Sequence, residues 1–278
     1  MKPKIHSIKI HFEIPVSPQL KLPRFVHLFI IEGKYLHLID SGVSDAMNDI
    51  KLYVEKIGRN FSEIKTIVLT HSHPDHIGAA KPIQDQTSCT IYAPVAESNW
   101  IENTGLQFKQ RPVPGFHELV AGSVTVNRKI TDKDVIRLEN SMTLQAFSTP
   151  GHSAGSTSYF FKEENALFSG DAVLLPGEIP IFENVQEYFH SLEIIKKFNP
   201  ETLYSAWDKP RSRNEIPEII KKSETYIRNI QSTVQKVAAT FEDHNSIAFC
   251  KAVLNELNQN TNIANPLLLK SFLACLHN

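Results

Sequence analysis

Cysteine is scarce. Cys89, Cys250 and Cys275 are the only three in 278 residues, and they lie far apart. With no C-x-x-C pair, a dithiol redox motif is excluded, and so is the disulfide framework of a small secreted domain. The three thiols are read as reduced core residues in a reducing, cytoplasmic compartment. Excess charge of one sign is missing too. Lys and Arg number 29 against 30 for Asp and Glu, a net charge of −1, so nothing draws a nucleic-acid polyanion. No apolar run approaches the ~20 residues of a membrane span. The opening "MKPKIHSIKIHFEIP" alternates apolar and polar residues and lacks the continuous apolar segment of a signal peptide. No repeat with a period of about 20–50 residues and no low-complexity tract is seen. The expected partner is a small-molecule substrate, with no nucleic acid and no membrane.

What is present is a globular composition, 41% hydrophobic and 21% charged. "IHSIKIHFEI" and "RFVHLFIIEGKYLHLIDSG" read as an antiparallel start, turning at Glu32-Gly33-Lys34. A helix is expected over 45–57, with Ser44 as N-cap and Gly58 as stop; Met47, Ile50, Val54 and Ile57 recur at helical spacing. "TIVLT" reads as a short buried strand that runs straight into "HSHPDH". A helix should start near His76 and reach about Gln86, and "CTIYAP" should form the next strand. Residues 101–140 offer no periodicity and are expected as irregular surface. "MTLQAFST", "STSYFF", "ALFSG" and "TLYSA" read as strands, with a helix near 185–198. Such alternation argues a layered α/β fold.

From Asn214 the texture changes. Ile216, Ile219, Ile220, Ile227, Ile230, Val234, Val237 and Phe241 form one long helical stripe. Further helices are expected over about 246–258 and from the Asn265-Pro266 cap onward. These stripes bury a core face, and they either shape a pocket or build a homodimer surface.

The chemistry concentrates in "LTHSHPDHIGAA". His71, His73, Asp75 and His76 place four ligand-type side chains at the end of an apolar strand. A buried imidazole cluster repels itself when protonated and is poorly satisfied when neutral unless something binds its free nitrogens. A divalent cation does so. His71 and His73, two apart, project to one side of an extended segment, while Asp75 and His76 follow a proline turn and approach from another direction. One turn can therefore feed two adjacent metals. Further ligand types stand where later strands end, at His152 and Asp171.

The stretch "TPGHSAGSTSY" can also be read as a G-x-S-x-G nucleophile elbow at Ser153. Such an elbow leads from a strand into a helix. Here it leads into "STSYFF", which reads as strand. His152 as ligand is preferred over Ser153 as nucleophile.

H-x-H-x-D-H after a strand, then "TPGHSAGS", then "FSGDAV", with "LIDSG" upstream, resembles the metallo-β-lactamase superfamily over residues 25–210, and its glyoxalase II-like branch in particular. The resemblance implies an αββα four-layer sandwich over residues 1–213 as the catalytic domain, with a helical C-terminal extension over 214–278. It also implies His71, His73 and His152 on a first metal, Asp75 and His76 on a second, Asp171 bridging them, and Asp40 in support. Two divalent ions are implied, zinc foremost, with iron or manganese as alternatives. The family's last histidine, after the final core strand, is missing. Trp207 stands there, and indole cannot ligate. Asp208, one position on, is either a replacement ligand or a charged turn residue before proline.

The activity implied is hydrolysis of a thioester, lactone or other ester-like substrate. The nucleophile would be the hydroxide that a metal pair generates from water, and Asp75 would be the catalytic residue that orients it and moves a proton. Two alternatives stand beside it: a mononuclear-iron persulfide dioxygenase and a non-catalytic metal-binding interaction module. Phe108, Phe116, His117, Phe182 and Tyr188 are candidate pocket walls.

Overall fold

A computed structural model describes residues 3–17 and 20–276. Two six-stranded sheets face each other. The first runs β1 (Lys4–Ser17), β2 (Leu20–Glu32), β3 (Leu36–Ile39), β4 (Ile64–Val68), β5 (Thr90–Pro94) and β6 (Arg128–Ile130) in spatial order. It opens with the expected antiparallel pairs and turns parallel from β3 onward. The second holds β7 (Val135–Glu139), β8 (Met142–Ser148), β9 (Thr157–Phe161), β10 (Ala166–Gly170), β11 (Thr202–Ser205) and β12 (Arg211–Ser212) as neighbours in sequence order.

Why the layers form can be read along β2. Its run "FVHLFII" is apolar on both faces, which suits a strand covered on both sides. Val26, Leu28 and Ile30 enter a core under the first sheet's helices, while Phe29 and Ile31 enter the core between the sheets. That inner core is completed from the second sheet by Leu144, Tyr159, Phe161 and Phe168. A third core lies beneath the second sheet, and the C-terminal helices close it. The result is the expected helix–sheet–sheet–helix sandwich.

The first sheet's helices are α1 (Ala46–Lys56), α2 (Pro74–Ile77), α3 (Ala80–Thr87), α4 (Val95–Glu102), α5 (Thr104–Gln110) and α6 (Phe116–Leu119). The second sheet is covered by α7 (Val185–Phe198), α8 (Ile216–Ala238), α9 (Ile247–Glu256) and α10 (Pro266–Ala274). On α8, Ile216, Ile219, Ile220, Ile227, Ile230 and Val234 are all buried. The Asn265 carboxamide accepts from the amides of Leu267 and Leu268, so the expected cap and first-turn proline form. Among the described residues no helix is long and apolar enough to cross a membrane.

Several local expectations are corrected. Asp45, not Ser44, is the α1 N-cap. Ser44 is drawn off by α6, its hydroxyl donating to the Glu118 carbonyl and its amide to that of Leu119 at 2.8 Å. The helix expected from His76 is two helices broken at Gly78-Ala79. Residues 101–140, expected as irregular, contain α5, α6, β6, β7 and the end of α4. Helices α4 and α5 turn polar side chains inward, Glu97 and Ser98 on one and Gln107 on the other, so no apolar stripe marks them.

Gly78 is where α2, α6 and the start of α1 meet. A Cβ there would lie 2.2 Å from the Leu119 carbonyl oxygen, 2.5 Å from Val43 Cα and 2.6 Å from the Ser44 amide nitrogen. All three are backbone atoms and cannot step aside. Gly78→Ala is expected to destabilise the protein by about 3 kcal/mol or more. That corresponds to a fall of roughly 6–12 °C in a thermal unfolding midpoint.

Candidate metal centre

The site lies where strands of both sheets end. Past β4 the chain bends at Thr70, pinned by Tyr159 Oη donating to the Leu69 carbonyl at 2.7 Å and by Thr157 N donating to the Thr70 carbonyl at 3.0 Å. His71 and His73 then flank Ser72. The Ser72 hydroxyl donates to Glu97, and its carbonyl accepts from Gln107 Nε2. Pro74 opens α2 and turns Asp75 and His76 back over the strand ends. From the second sheet, β8 leads to His152 through Gly151, whose φ of +120° and backbone contact with Tyr188 leave no room for a side chain. Asp171 directly follows β10.

These residues converge. One ligand atom from each of His71, His73, His152 and Asp171 lies within 4.8 Å of the others, and Asp75, His76 and Asp171 form a second such group. Asp171 Oδ2 sits 3.2 Å from His152 Nε2 and 3.9 Å from His71 Nε2, while its Oδ1 sits 3.1 Å from His76 Nε2. His152 Nε2 and His73 Nδ1 are 2.7 Å apart.

Hydrogen bonds behind the rings fix the tautomers. The Ile181 carbonyl, 2.8 Å from His152 Nδ1, can only accept, so Nδ1 carries the proton and Nε2 is free. Thr70 Oγ1 donates to Asp40 Oδ2 at 2.8 Å and can therefore accept from His71 Nδ1 at 3.0 Å. Asp40 Oδ2 also accepts from His76 Nδ1 at 2.8 Å. In each case Nε2 is left to face inward. His71 Nε2, His76 Nε2 and Asp171 Oδ1 are buried without a hydrogen-bond partner, a state that buried polar atoms rarely keep.

The electrostatics suit a cation. Burial holds the pKa of His71, His73 and His152 below the usual imidazole range, so they are neutral, the form that ligates. Burial opposes charge on His76 as well, yet Asp171, Asp40 and Asp75 outweigh it and raise its pKa well above that range. Positive charge is thus stabilised among these carboxylates. Burial likewise works against the Asp171 carboxylate, but His76 and His152 prevail and lower its pKa. Asp75, 16% exposed, is pushed up by burial and by Asp171. Three neutral imidazoles with one carboxylate form a donor set that suits zinc, and one imidazole with two carboxylates is the more oxygen-rich set.

Asp40 is held at φ +61°, an uncommon conformation for a side-chain-bearing residue. There its carboxylate takes the Thr70 amide as well as the bonds above. Asp40→Asn is expected to weaken metal binding about 10–100-fold, read by competition with a chromophoric chelator.

Asp208 is not brought to either group. Both its carboxylate oxygens accept from Arg211, at 2.6 and 2.9 Å. Trp207 lines the cleft above the site. Ser153 donates to Glu97 Oε1 at 2.7 Å and is followed by strand β9, where a nucleophile elbow would lead into a helix. None of the five expected wall residues lines this cleft. Phe108, Phe116 and His117 line a separate surface depression, and Phe182 and Tyr188 are core. The actual cleft, about 110 Å³, is walled by Phe12, Ile14, Val113, Leu119, Leu174 and Leu267 among others. Sequence reasoning missed two charged residues, the buried Glu97 and Arg111. Their only signal is distant in the chain, since the donors that hold Glu97 sit at Ser72, Ser153 and Gly155.

The profile of the metallo-beta-lactamase superfamily matches residues 22–207. The beta-lactamase-like protein 2 homolog of Caenorhabditis elegans is 27% identical over 210 residues, 76% of this chain and 63% of that protein. The chain thus spans less than two thirds of that relative's length. A hydroxyacylglutathione hydrolase of Hyphomonas neptunium is 26% identical over 208 residues, 73% of this chain and 72% of that one. Among solved structures, a metallo-beta-lactamase family protein of Thermus thermophilus covers 95% of this chain and 92% of its own, with a TM-score of 0.68 at 19% identity. At that identity the likeness concerns the fold.

Proposed function

The chain belongs to the metallo-beta-lactamase superfamily, and on that premise we propose that it is a metal-dependent hydrolase of a thioester, lactone or other ester-like acyl substrate. The observation that carries this reading is the pair of ligand groups sharing Asp171 at the floor of an apolar-walled cleft. Two divalent cations, zinc foremost, with iron or manganese eased into the oxygen-rich group, would polarise a carbonyl and lower the pKa of a water to about 7.

The chain's own residues do the rest. Asp40 and the Ile181 carbonyl hold His76 and His152 in the tautomers that present Nε2 inward. Asp75 reaches the cleft with a carboxylate whose pKa burial has raised. It is suited to take a proton from the attacking water and return it to the leaving group. The apolar walls exclude bulk water and receive an acyl chain. Leu267, at the start of α10, is one of those walls, which supports a pocket-shaping role for the C-terminal helices. The three-residue second group, against four in the first, supports the mononuclear alternative.

The test is a panel of acyl thioesters, lactones and a phosphodiester, with metal content measured on the same sample. Thioester or lactone turnover at least ~10³-fold above buffer is expected. Full loading with no turnover of any of them contradicts the reading, and oxygen uptake with glutathione persulfide replaces it with the oxidative one.

A further inference from the structure

Arg111 carries a charge with no ion-pair partner among the described residues. It follows α5, its amide donating to the Gln107 carbonyl at 2.7 Å. The residue is only 6% exposed and lines the cleft beside His73, Asp75, His152 and Asp171. Its Nε is buried without a hydrogen-bond partner, and no described carboxylate comes within ion-pair distance of it. Arg24, the other arginine of the cleft, also has a buried Nε without a partner, but its charge is answered. It is paired with Glu178, and its guanidinium lies 4.4 Å from the centre of the Trp207 ring.

The acids around Arg111 are engaged elsewhere. Glu183 faces Lys270 at 3.4 Å, Glu97 accepts from Ser72, Ser153 and Gly155, and Asp75 and Asp171 face His76. Burial lowers the Arg111 pKa only to about 10, so the guanidinium stays charged at neutral pH. A buried charge without a partner is costly, and a fold keeps one where a ligand completes it.

We infer that Arg111 anchors a carboxylate of the substrate, whose apolar chain runs along Phe12, Ile14 and Leu119 toward the metal centre. The guanidinium fork matches a carboxylate in a bidentate pair. A single positive charge suits a monoanion, and the cleft lining offers no lysine to complete a phosphate dianion. The inference rests on the hydrolase reading and narrows its substrate to an acyl compound carrying a carboxylate.

Two esters of equal chain length test it, the p-nitrophenyl monoester of adipic acid and p-nitrophenyl hexanoate. The metal-loaded protein is compared with Arg111→Gln and Arg111→Lys, with metal content and unfolding midpoint measured on each. The wild type is expected to favour the adipate ester at least about tenfold in kcat/KM. Arg111→Gln should lose that preference through KM while leaving the hexanoate ester within about threefold, and Arg111→Lys should keep part of it. Calorimetry should show adipate binding more tightly than hexanoate to the wild type, with the difference reduced in Arg111→Lys and lost in Arg111→Gln. An equal loss on both esters, or no preference in the wild type, overturns the inference. If the loaded wild type turns over neither ester, the thioester and lactone panel decides the hydrolase reading, and the adipate calorimetry still decides the role of Arg111. If Arg111→Gln does not fold, Arg111→Lys decides, and calorimetry indistinguishable from wild type would count against the anchor.

Discussion

Alanine at both His71 and His73 is expected to leave a folded protein that no longer retains stoichiometric metal and hydrolyses its substrate at least ~10³-fold more slowly. The fold should survive because both rings lie beyond β4, outside the three apolar cores. The hydrogen bonds lost are those of His71 Nδ1 with Thr70 Oγ1 and His73 Nδ1 with His152 Nε2, both side chain to side chain within the site. Metal content by mass spectrometry and a circular dichroism spectrum on the same sample check both halves. His117→Ala, in the separate surface depression, should leave both unchanged. Metal content equal to wild type in the double variant contradicts the assignment.

The second large effect is expected at Asp171, because it belongs to both ligand groups. Its two oxygens face different histidines, Oδ2 toward His152 and Oδ1 toward His76. Asparagine there removes the negative charge and aims an amide donor at one of these rings. Asp171→Asn is expected to lose both equivalents of metal and to cut activity by ~10³-fold or more. Asp75→Asn touches only the second group and should lose one equivalent. Elemental analysis separates the two outcomes, and equal losses in the two variants would show that the groups do not bind separately.

Much of this was legible before any coordinates. H-x-H-x-D-H at the end of "TIVLT", and His152 and Asp171 just beyond later strands, put the ligand types at strand ends, and the strands do bring them together. The strands were readable because runs such as "FVHLFII" need apolar cover on both faces. The wall of the cleft was not readable. Helices α4 and α5 bury Glu97, Ser98 and Gln107, so the periodicity that reveals a helix is absent just where polar residues turn inward to support the site. Arg111, beside Pro112, looks like a surface charge in a loop. Its burial depends on contacts far along the chain. At Asp208 the competitor was close in sequence, Arg211, whose paired hydrogen bonds occupy the carboxylate that a metal would need.

The most direct measurement is anomalous diffraction at the zinc edge from crystals grown with zinc. Two peaks ~3.5–4 Å apart are expected, one enclosed by His71, His73, His152 and Asp171 and the other by Asp75, His76 and Asp171. An intact fold with no peak at either place, under metal excess, would contradict the account.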